Sequence, residues 1–251
     1  NTGSSPVGVT IVKKMNLTII IPVYNEINYI PKVISKLSKL SLTKTKINII
    51  IIDDFSIDGT REWLKKNQAN INKTKNKIKI IYKKKNEGKG SAVIEGLKNI
   101  SVNDVILIQD ADLEYDPNDI KKLWILIKKG NDVVFGNRFH GLNHYHYKIF
   151  ALANFIISKF TSFLFFKKIS DVAVCYKMFK KRILKDNITL KEKDFMFDFE
   201  FTSKILKNKK FLKIAETNIS YFGRTFKDGK KISWMDGFKA IIVIIRIRLF
   251  D

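Results

Sequence analysis

The 251-residue sequence contains a single cysteine, Cys175, and only three histidines. One cysteine excludes an internal disulfide and any cysteine-rich zinc site, so the composition is typical of a protein from a reducing compartment. The histidines, His140, His144 and His146, lie close together in the sequence. No fourth ligand accompanies them at the spacing of a zinc motif, and we therefore interpret this segment as a polar loop.

Acidic residues are also scarce, because 24 Asp and Glu stand against 47 Lys and Arg, giving a formal net charge of +23. Such an excess is a known feature of nucleic-acid-binding proteins. However, the lysines are spread along the whole chain, and no zinc finger, RRM signature or aromatic-spaced basic patch is present. The sequence predicts no nucleic-acid partner, and it leaves attraction to anionic lipids or phosphate-bearing substrates open.

The apolar fraction of 45% and the charged fraction of 28% are typical of a folded globular protein, and the length suits one large α/β domain. Residues 1–14 are rich in glycine and serine and precede Met15. We interpret them as an N-terminal extension that is expected to be disordered, and we expect no signal peptide. A single domain is predicted over residues 15–251.

From Leu17 onward, short apolar runs alternate with segments of helical periodicity. The strand-like runs are LTIIIPV, KINIIIIDD, KIKIIYK, DVILIQD and NDVVFGNRF. Continuous apolar strands separated by helices of about 10 to 15 residues predict a mostly parallel sheet with helices on both faces. Side chains that carry out chemistry in such sheets follow the carboxyl ends of the strands. The polar segments after these five strands should therefore meet at one edge of the sheet.

The segment QDADLEYDP places four acids within seven residues, directly after an apolar strand. Asp110 and Asp112 can reach one hard cation there, and Mg²⁺ or Mn²⁺ would recruit substrate phosphates to fill its coordination shell. An EF-hand loop is excluded because Tyr115 stands where that motif requires glycine. The alternative is a solvated turn in which Asp116 and Pro117 begin the next helix. It accounts for these two residues, but not for Asp110, because an acid that ends an apolar strand needs a partner.

Two further strand ends carry candidate binding groups. The acids of IIDDFSIDGT suit a turn and a helix cap, but Asp53 could instead accept hydrogen bonds from a base or a ribose. The segment KKKNEGKGSAV is not a P-loop, because Gly90 stands where that motif requires Ser or Thr. Gly88 and Gly90 permit close approach of a ligand to the backbone, and Lys89 is free to meet a phosphate.

Together these segments resemble the family-two glycosyltransferases of GT-A fold, in particular the dolichyl- and polyprenyl-phosphate sugar synthases. The matching segments are IIIPVYNE, IIDDFSIDGT, NEGKGSA, QDADLEYDP, GNRF, SDVAVCYKMF, FDFEF and YFGRTFKDGKKISWMDGFKA. They extend from about Leu17 to Phe250, and their order and spacing are jointly more specific than any one of them. The resemblance implies a Rossmann-like GT-A sheet with a nucleotide-binding half at residues 15–138 and an acceptor half at residues 139–251.

The resemblance also implies roles for individual residues. The residues that match the loop holding the nucleoside are Pro22, Tyr24 and Glu26. Asp53 would read the base or the ribose, and Asp110 and Asp112 match the metal-binding D-x-D motif, so Mg²⁺ or Mn²⁺ is the expected cofactor. The cations at the family's phosphate-binding or basic positions are Arg138, Arg224, Lys230 and Lys231. We expect the last three on a mobile loop, in which Gly223 and Gly229 permit hinge angles.

Two positions depart from the family pattern. Glu114 stands where the family often has glutamine, and Val174-Cys175-Tyr176 stands where the mannose synthases usually have Ser-Gly before the aromatic residue. We therefore assign neither mannose nor dolichol as the substrate.

The implied reaction is inverting transfer of a sugar from an NDP-sugar to a polyprenyl phosphate. The metal site with Asp112, together with Arg224, would neutralise the leaving diphosphate. A lipid phosphate needs no general base, whereas a glycan or small hydroxyl acceptor, the alternative, would need a carboxylate. Asp171 and Glu200 are candidates for that base, although a structural role suits each of them equally. A non-catalytic basic binding module is the alternative from another class, and the D-x-D motif and Arg224 argue against it.

Two apolar segments favour contact with a membrane surface. The segment Ile149–Phe166 approaches the ~20 residues needed to span a bilayer. Polar residues at helical spacing and Lys159 within the run instead predict a helix that lies in the membrane interface. The last segment, GFKAIIVIIRIRLF, is too short to span, and its basic residues suit anionic headgroups. The alternative is that both helices simply pack on the sheet. The sequence thus predicts C-terminal amphipathic helices and a peripheral protein on the cytoplasmic face of a membrane.

Overall fold

A computed structural model describes most of the chain. The described residues are 15–98, 100–139, 143–184, 188–230 and 233–251. Residues 1–14, for which we expect disorder, lie outside the described residues, and so do His140 and Lys231.

Seven strands of the described residues form one sheet, and two short strands pair separately. The strands are β1 (Leu17–Val23), β2 (Ile47–Asp53), β3 (Lys77–Tyr82), β4 (Val105–Ile108), β5 (Val133–Asn137), β6 (Asn143–His144), β7 (Lys177–Lys180), β8 (Ile214–Asn218) and β9 (Tyr221–Phe222). The order across the main sheet is β3-β2-β1-β4-β7-β5-β8, and β6 pairs with β9. Only β7 runs antiparallel to its neighbours, β4 and β5. The predicted mostly parallel sheet is therefore confirmed, and the ends of β1 to β5 lie at one edge.

The helices follow the predicted alternation with the strands. They are α1 (Ile30–Ser38), α2 (Thr60–Asn72), α3 (Lys89–Leu97), α4 (Ile120–Lys128), α5 (Lys148–Phe165), α6 (Met196–Lys207) and α7 (Trp234–Leu249). Every residue of β1 and of β4 is buried. Because successive side chains of a strand point to opposite faces, the centre of the sheet is covered on both faces.

The strand β7 places part of the second half of the chain in the middle of the sheet, between β4 and β5. Its first residue, Lys177, is fully buried. Buried lysine is rare without an anion, and Lys177 Nζ meets Asp198 Oδ1 of α6 at 2.6 Å. Helix α6 packs on α3 and α7, so the second half is joined to the first through both the sheet and the helices.

The helices α5 and α7 pack against each other, and α5 also contacts α6. The polar stripe predicted on α5 faces the protein, because Ser158 and Thr161 are buried and donate to carbonyl oxygens of their own helix. The other side of α5 carries exposed apolar residues, and so does the neighbouring helix α7. We call these residues together the α5–α7 apolar surface. Its members are Ile149, Leu152, Phe155, Ile156, Phe163, Phe166, Trp234, Met235, Phe238, Ile242, Ile245 and Leu249. By length and composition alone, α5 is long and apolar enough to cross a membrane.

Candidate active site

A cavity of about 430 Å³ opens at the edge of the sheet where the strands end. Nine of the predicted site residues line it: Pro22, Tyr24, Glu26, Lys89, Asp110, Asp112, Arg138, Arg224 and Lys230. Residues near the beginnings of α5 and α7 also line the cavity, among them Phe150 and Asn154 of α5 and Trp234 of α7. Three other candidates, Asp53, Asp171 and Glu200, are not among the lining residues.

The acid pair at the end of β4 meets protein cations. Lys89 Nζ lies 2.9 Å from Asp110 Oδ1, and Arg224 Nη2 lies 3.0 Å from Asp112 Oδ2. Burial, together with the charges of Glu114 and Asp110, raises the pKa of Asp112 to about 7 despite the attraction of Arg224. The negative charge around Asp112 is therefore only partly neutralised by the cations of the cavity.

This excess of negative charge fits a divalent cation. The part of the chain that the structure describes contains no group of three His, Cys, Asp or Glu side chains arranged to hold a metal ion. However, Mg²⁺ and Mn²⁺ need only one or two carboxylates when waters and substrate phosphates complete the coordination shell. The residues that suit this role are Asp110 and Asp112, which both line the cavity.

Arg224 pairs with acids from two different strand ends of the cavity. Its guanidinium group donates to Glu26 at 2.8 Å and to Asp112 at 3.0 Å, and it lies 5.1 Å from the ring centroid of Tyr29. Its backbone N–H donates to Glu114 Oε1 at 2.7 Å. Glu114 Oε2 also accepts from the hydroxyl of Tyr221, so this acid holds the Arg224 loop in place.

The loop from Gly223 to Lys230 rests on the beginning of α5. The N–H of Phe226 donates to the Tyr147 hydroxyl at 3.1 Å, and Lys230 Nζ lies 5.9 Å from the centroid of the Tyr147 ring. Gly229 has a φ of 91°, which favours glycine. The loop thus brings Arg224 and Lys230 to the cavity, and its predicted mobility stays a prediction.

The first turn of α3 contacts another segment of the protein. The N–H of Ser91 donates to the carbonyl of Lys193 at 2.9 Å, and a Cβ on Gly90 would collide with the carbonyl of Glu192. Gly90 therefore allows another segment of the protein, and not a ligand, to approach the backbone, so its predicted role is wrong. Lys89 lies in the cavity as predicted.

Asp53 is closed off from the cavity, contrary to its predicted contact with the base. It is fully buried, and it accepts from Arg61 Nε at 2.5 Å and from the N–H of Ser56 at 3.3 Å. The neighbouring Asp54 lines the cavity and accepts from the N–H of Gly88 at 2.7 Å. Because adjacent residues of a strand point to opposite faces, only one of these two acids can face the ligand.

The two candidates for a general base are also bound to protein groups. Asp171 makes a bidentate ion pair with Arg138, at 2.6 and 2.8 Å, and accepts from Asn154 at 2.7 Å. Burial alone would raise the pKa of Asp171, but Arg138 and these hydrogen bonds hold it below its ordinary value. Glu200 is fully buried and accepts from the N–H groups of Lys191 and Glu192. Neither carboxylate is placed to take a proton from a substrate in the cavity.

Asp198 is the acid of α6 that lines the cavity, and the sequence did not single it out. It lies two residues before Glu200, and residues at that spacing in a helix project about 200° apart. At most one of the two acids could therefore face the cavity. Helical spacing predicts that the two acids point in different directions, but it does not predict which of them faces the cavity.

The chain belongs to glycosyl transferase family 2. The sequence model described as "Glycosyl transferase family 2" matches residues 18–188, which are more than half of the chain. The predicted family is therefore confirmed.

Curated relatives carry names of polyprenyl-phosphate sugar transferases. Dolichol-phosphate mannosyltransferase of Pyrococcus furiosus is 36% identical over 125 residues, which are 50% of this chain and 34% of that protein. Undecaprenyl-phosphate 4-deoxy-4-formamido-L-arabinose transferase of Yersinia enterocolitica serotype O:8 / biotype 1B is 27% identical over 220 residues, which are 87% of this chain and 63% of that protein. The chain thus matches less than two thirds of the length of either relative.

A solved structure shares the fold. Glucosyl-3-phosphoglycerate synthase of Mycobacterium tuberculosis, in complex with Mn²⁺, uridine diphosphate and phosphoglyceric acid, superposes with a TM-score of 0.69. The two proteins are 13% identical, and the match covers 94% of this chain and 80% of that chain. At this identity the likeness shows the fold alone, and it confirms the expected GT-A architecture.

Proposed function

We propose that this protein transfers a sugar from a nucleoside-diphosphate sugar to a polyprenyl phosphate, with inversion at the anomeric carbon. The proposal extends to dependence on Mg²⁺ or Mn²⁺ held by Asp110 and Asp112. The names of the two curated relatives support the lipid phosphate, and the ligands of the mycobacterial structure support a metal and a nucleoside diphosphate.

The choice of acceptor depends on one observation about the acids of the cavity. In the described part of the chain, these are Glu26, Asp54, Asp110, Asp112, Glu114, Asp198 and Asp236. Each of them accepts a hydrogen bond or an ion pair from another group of the protein. A hydroxyl acceptor needs a carboxylate that is available to take its proton, whereas a phosphate acceptor is already an anion. Asp110 and Asp112 would be taken up by the metal, and the other five acids are already engaged by donors of the protein, so the arrangement favours a phosphate.

The proposed step needs no proton transfer. An oxygen of the acceptor phosphate forms a bond to the anomeric carbon, and the bond from that carbon to the donor diphosphate breaks. The leaving nucleoside diphosphate takes the electron pair. Bound Mg²⁺ or Mn²⁺ would neutralise part of the charge on this leaving group. Lys89 and Arg224 supply further positive charge from the side of the donor.

Arg138 lines the cavity, and it is the residue that we expect to bind the acceptor phosphate. Asp171 holds the guanidinium group in a fixed orientation, and the group lies 5.0 Å from the ring centroid of Tyr221. An arginine that is oriented in this way can bind a phosphate through its remaining N–H donors.

The proposal includes contact with the cytoplasmic face of a membrane. Residues at the beginnings of α5 and α7, among them Phe150 and Trp234, line the cavity, and the α5–α7 apolar surface includes residues of the same turns, Ile149 and Trp234. Exposed lysines border this surface, among them Lys167, Lys168 and Lys239. Apolar side chains flanked by cations suit a bilayer with anionic headgroups. A lipid phosphate could then enter the cavity while its hydrocarbon chain stays in the membrane.

A donor and acceptor screen tests the proposal. Labelled UDP-, GDP- and dTDP-sugars would be incubated with undecaprenyl phosphate in detergent and Mn²⁺, and the label would be measured in the organic phase. We expect transfer from one donor and loss of transfer with EDTA. Transfer only to hydroxyl acceptors would favour the alternative acceptor class. Donor binding without turnover on any acceptor would favour a binding module.

A further inference from the structure

Four charged side chains form a continuous chain from the interior of the protein to the cavity. Lys177 Nζ lies 2.6 Å from Asp198 Oδ1, and Asp198 Oδ2 lies 2.8 Å from Lys89 Nζ. Lys89 Nζ in turn lies 2.9 Å from Asp110 Oδ1. The order is therefore cation, anion, cation, anion, and the last anion is one of the two acids proposed to hold the metal.

The inner part of this chain is shielded from solvent. The side chain of Lys177 is fully buried, and that of Asp198 is 7% exposed. Lys177 also donates to the carbonyl of Val174. A buried side chain remains ionised only where an opposite charge compensates the cost of desolvation. Lys177 provides this charge for Asp198, on the side away from the cavity.

The backbone of α3 is held by the same helix that carries Asp198. Glu200 of α6 accepts from the N–H groups of Lys191 and Glu192, and the first turn of α3 packs on this segment through Gly90. Both acids of α6 therefore act on α3. Glu200 fixes the segment against which the helix begins, and Asp198 fixes the side chain of Lys89.

We infer that Asp198 is a positioning residue, which holds the Lys89 ammonium group in the cavity and leaves Asp110 available for a divalent cation. The inference rests on the proposed function. If Asp110 were the sole partner of Lys89, binding a metal to Asp110 would leave a shielded ammonium group without an anion. Because Asp198 also balances its charge, Lys89 can remain beside the metal and meet the donor diphosphate.

Four variants separate this role from a contribution to folding alone. Asp198→Asn removes the charge and keeps the shape. Lys177→Met removes the buried cation, and the double variant Asp198→Asn/Lys177→Met removes both. Asp132→Asn is the matched control, because Asp132 also receives two cations, Lys180 and Arg182, at 2.9 Å each, but does not line the cavity.

The affinities of all variants would be measured by calorimetry with UDP, GDP and dTDP, each in the presence of Mn²⁺, and with uridine, guanosine and thymidine. Thermal unfolding would be measured in parallel. We expect Asp198→Asn to weaken binding of the diphosphate by about tenfold to a hundredfold, with nucleoside binding unchanged, because one charge-assisted interaction is lost. The melting temperature should fall as well, because Lys177 loses its anion.

The double variant should recover the melting temperature of the wild-type protein without recovering its affinity for the diphosphate. Lys177→Met should change this affinity by no more than about twofold, because the pair of Asp198 and Lys89 is kept. Asp132→Asn should lower the melting temperature and bind as the wild-type protein does. Wild-type affinity in the double variant would overturn the inference alone. Failure of the wild-type protein to bind any of UDP, GDP and dTDP with Mn²⁺ would overturn the proposed function.

Discussion

Asp112 and Asp116 lie in one acidic loop and have different surroundings. Asp112 faces the cavity and pairs with Arg224, whereas Asp116 accepts from the N–H of Asn118 and caps the short helix Pro117–Asp119. The predicted capping role of Asp116 is confirmed. The two acids therefore provide a comparison in which the same substitution should have different effects.

We predict that Asp112→Asn lowers metal-dependent sugar transfer by about a hundredfold or more, because an amide oxygen binds a divalent cation more weakly than a carboxylate does and does not balance its charge. Asp116→Asn should retain the activity of the wild-type protein, since asparagine is an equally good cap. The measurement is turnover during a titration with Mn²⁺. Similar losses in both variants would contradict a metal role specific to Asp112.

The crowding of acids around Asp112 also predicts a dependence on pH. Its pKa is raised from 3.8 to about 7 without metal, so the folded state favours the protonated form. The stability from protonation is fully present below the ordinary pKa and is lost as the pH rises through about 7. The metal-free protein should therefore lose stability as the pH rises from about 4 to about 7, and Asp112→Asn should remove this part of the loss. Urea unfolding of both proteins measures it, and profiles of the same shape would contradict it.

Single residues also show where the sequence is a sufficient guide to the site. The residues on the loops after β1 and β4 lie in the cavity as predicted, because loops at the carboxyl edge of a parallel sheet converge. The prediction failed for Asp53 and missed Asp198, because each is one of two nearby acids that point in different directions. Which acid faces the ligand depends on a partner that another element supplies, such as Arg61 of α2 for Asp53 or Lys177 of β7 for Asp198.

At the level of elements, six strands of the main sheet run parallel, and the sequence predicted five of them, β1 to β5, from their apolar runs. It did not predict β8, none of whose residues is fully buried. The strand β7 was not predicted as a strand, since its sequence is KMFK and its first lysine is fully buried. Hydrophobic periodicity assigns lysine to the solvent. The ion pair with Asp198 reverses that assignment, and it forms only after α6 has packed on the sheet.

The helix α5 was predicted to be amphipathic, and its polar stripe turns toward the protein. Hydrogen bonds from Ser158 and Thr161 to the carbonyls of their own helix allow these residues to be buried. The apolar side of the helix is consequently the exposed one. An exposed apolar surface of this extent indicates a binding partner, for which we propose the membrane.

We predict that the protein binds vesicles that contain phosphatidylglycerol, and that the double variant Phe163→Ser/Phe166→Ser binds them at least about tenfold more weakly. Fully burying one such side chain contributes roughly 1.5–3 kcal/mol, and both are 75% exposed. The control is Ile57→Ser/Ile125→Ser, which changes two exposed apolar residues outside the α5–α7 apolar surface. Co-sedimentation measures binding, and equal losses in the two variants would contradict insertion of this surface.

At the level of the whole molecule, the two predicted halves share one sheet. The strand β7 of the second half hydrogen-bonds to β4 and β5 of the first. Arg224 of the second half also pairs with Glu26 and Asp112 of the first, across the cavity. A ligand in the cavity would therefore contact both halves, and neither half has a complete sheet without the other.

We predict that residues 15–251 unfold as a single cooperative unit, and that a nucleoside diphosphate with Mn²⁺ stabilises both halves equally. Binding to the native state adds a free energy of unfolding of about 2.7 kcal/mol when the ligand is present at 100 times its Kd. Hydrogen exchange read by mass spectrometry on peptides from β1, β4 and β7 measures this. All three should open with one free energy and shift together on adding UDP or GDP with Mn²⁺. An opening of β7 at lower free energy that the ligand does not change would show that the halves unfold as separate units.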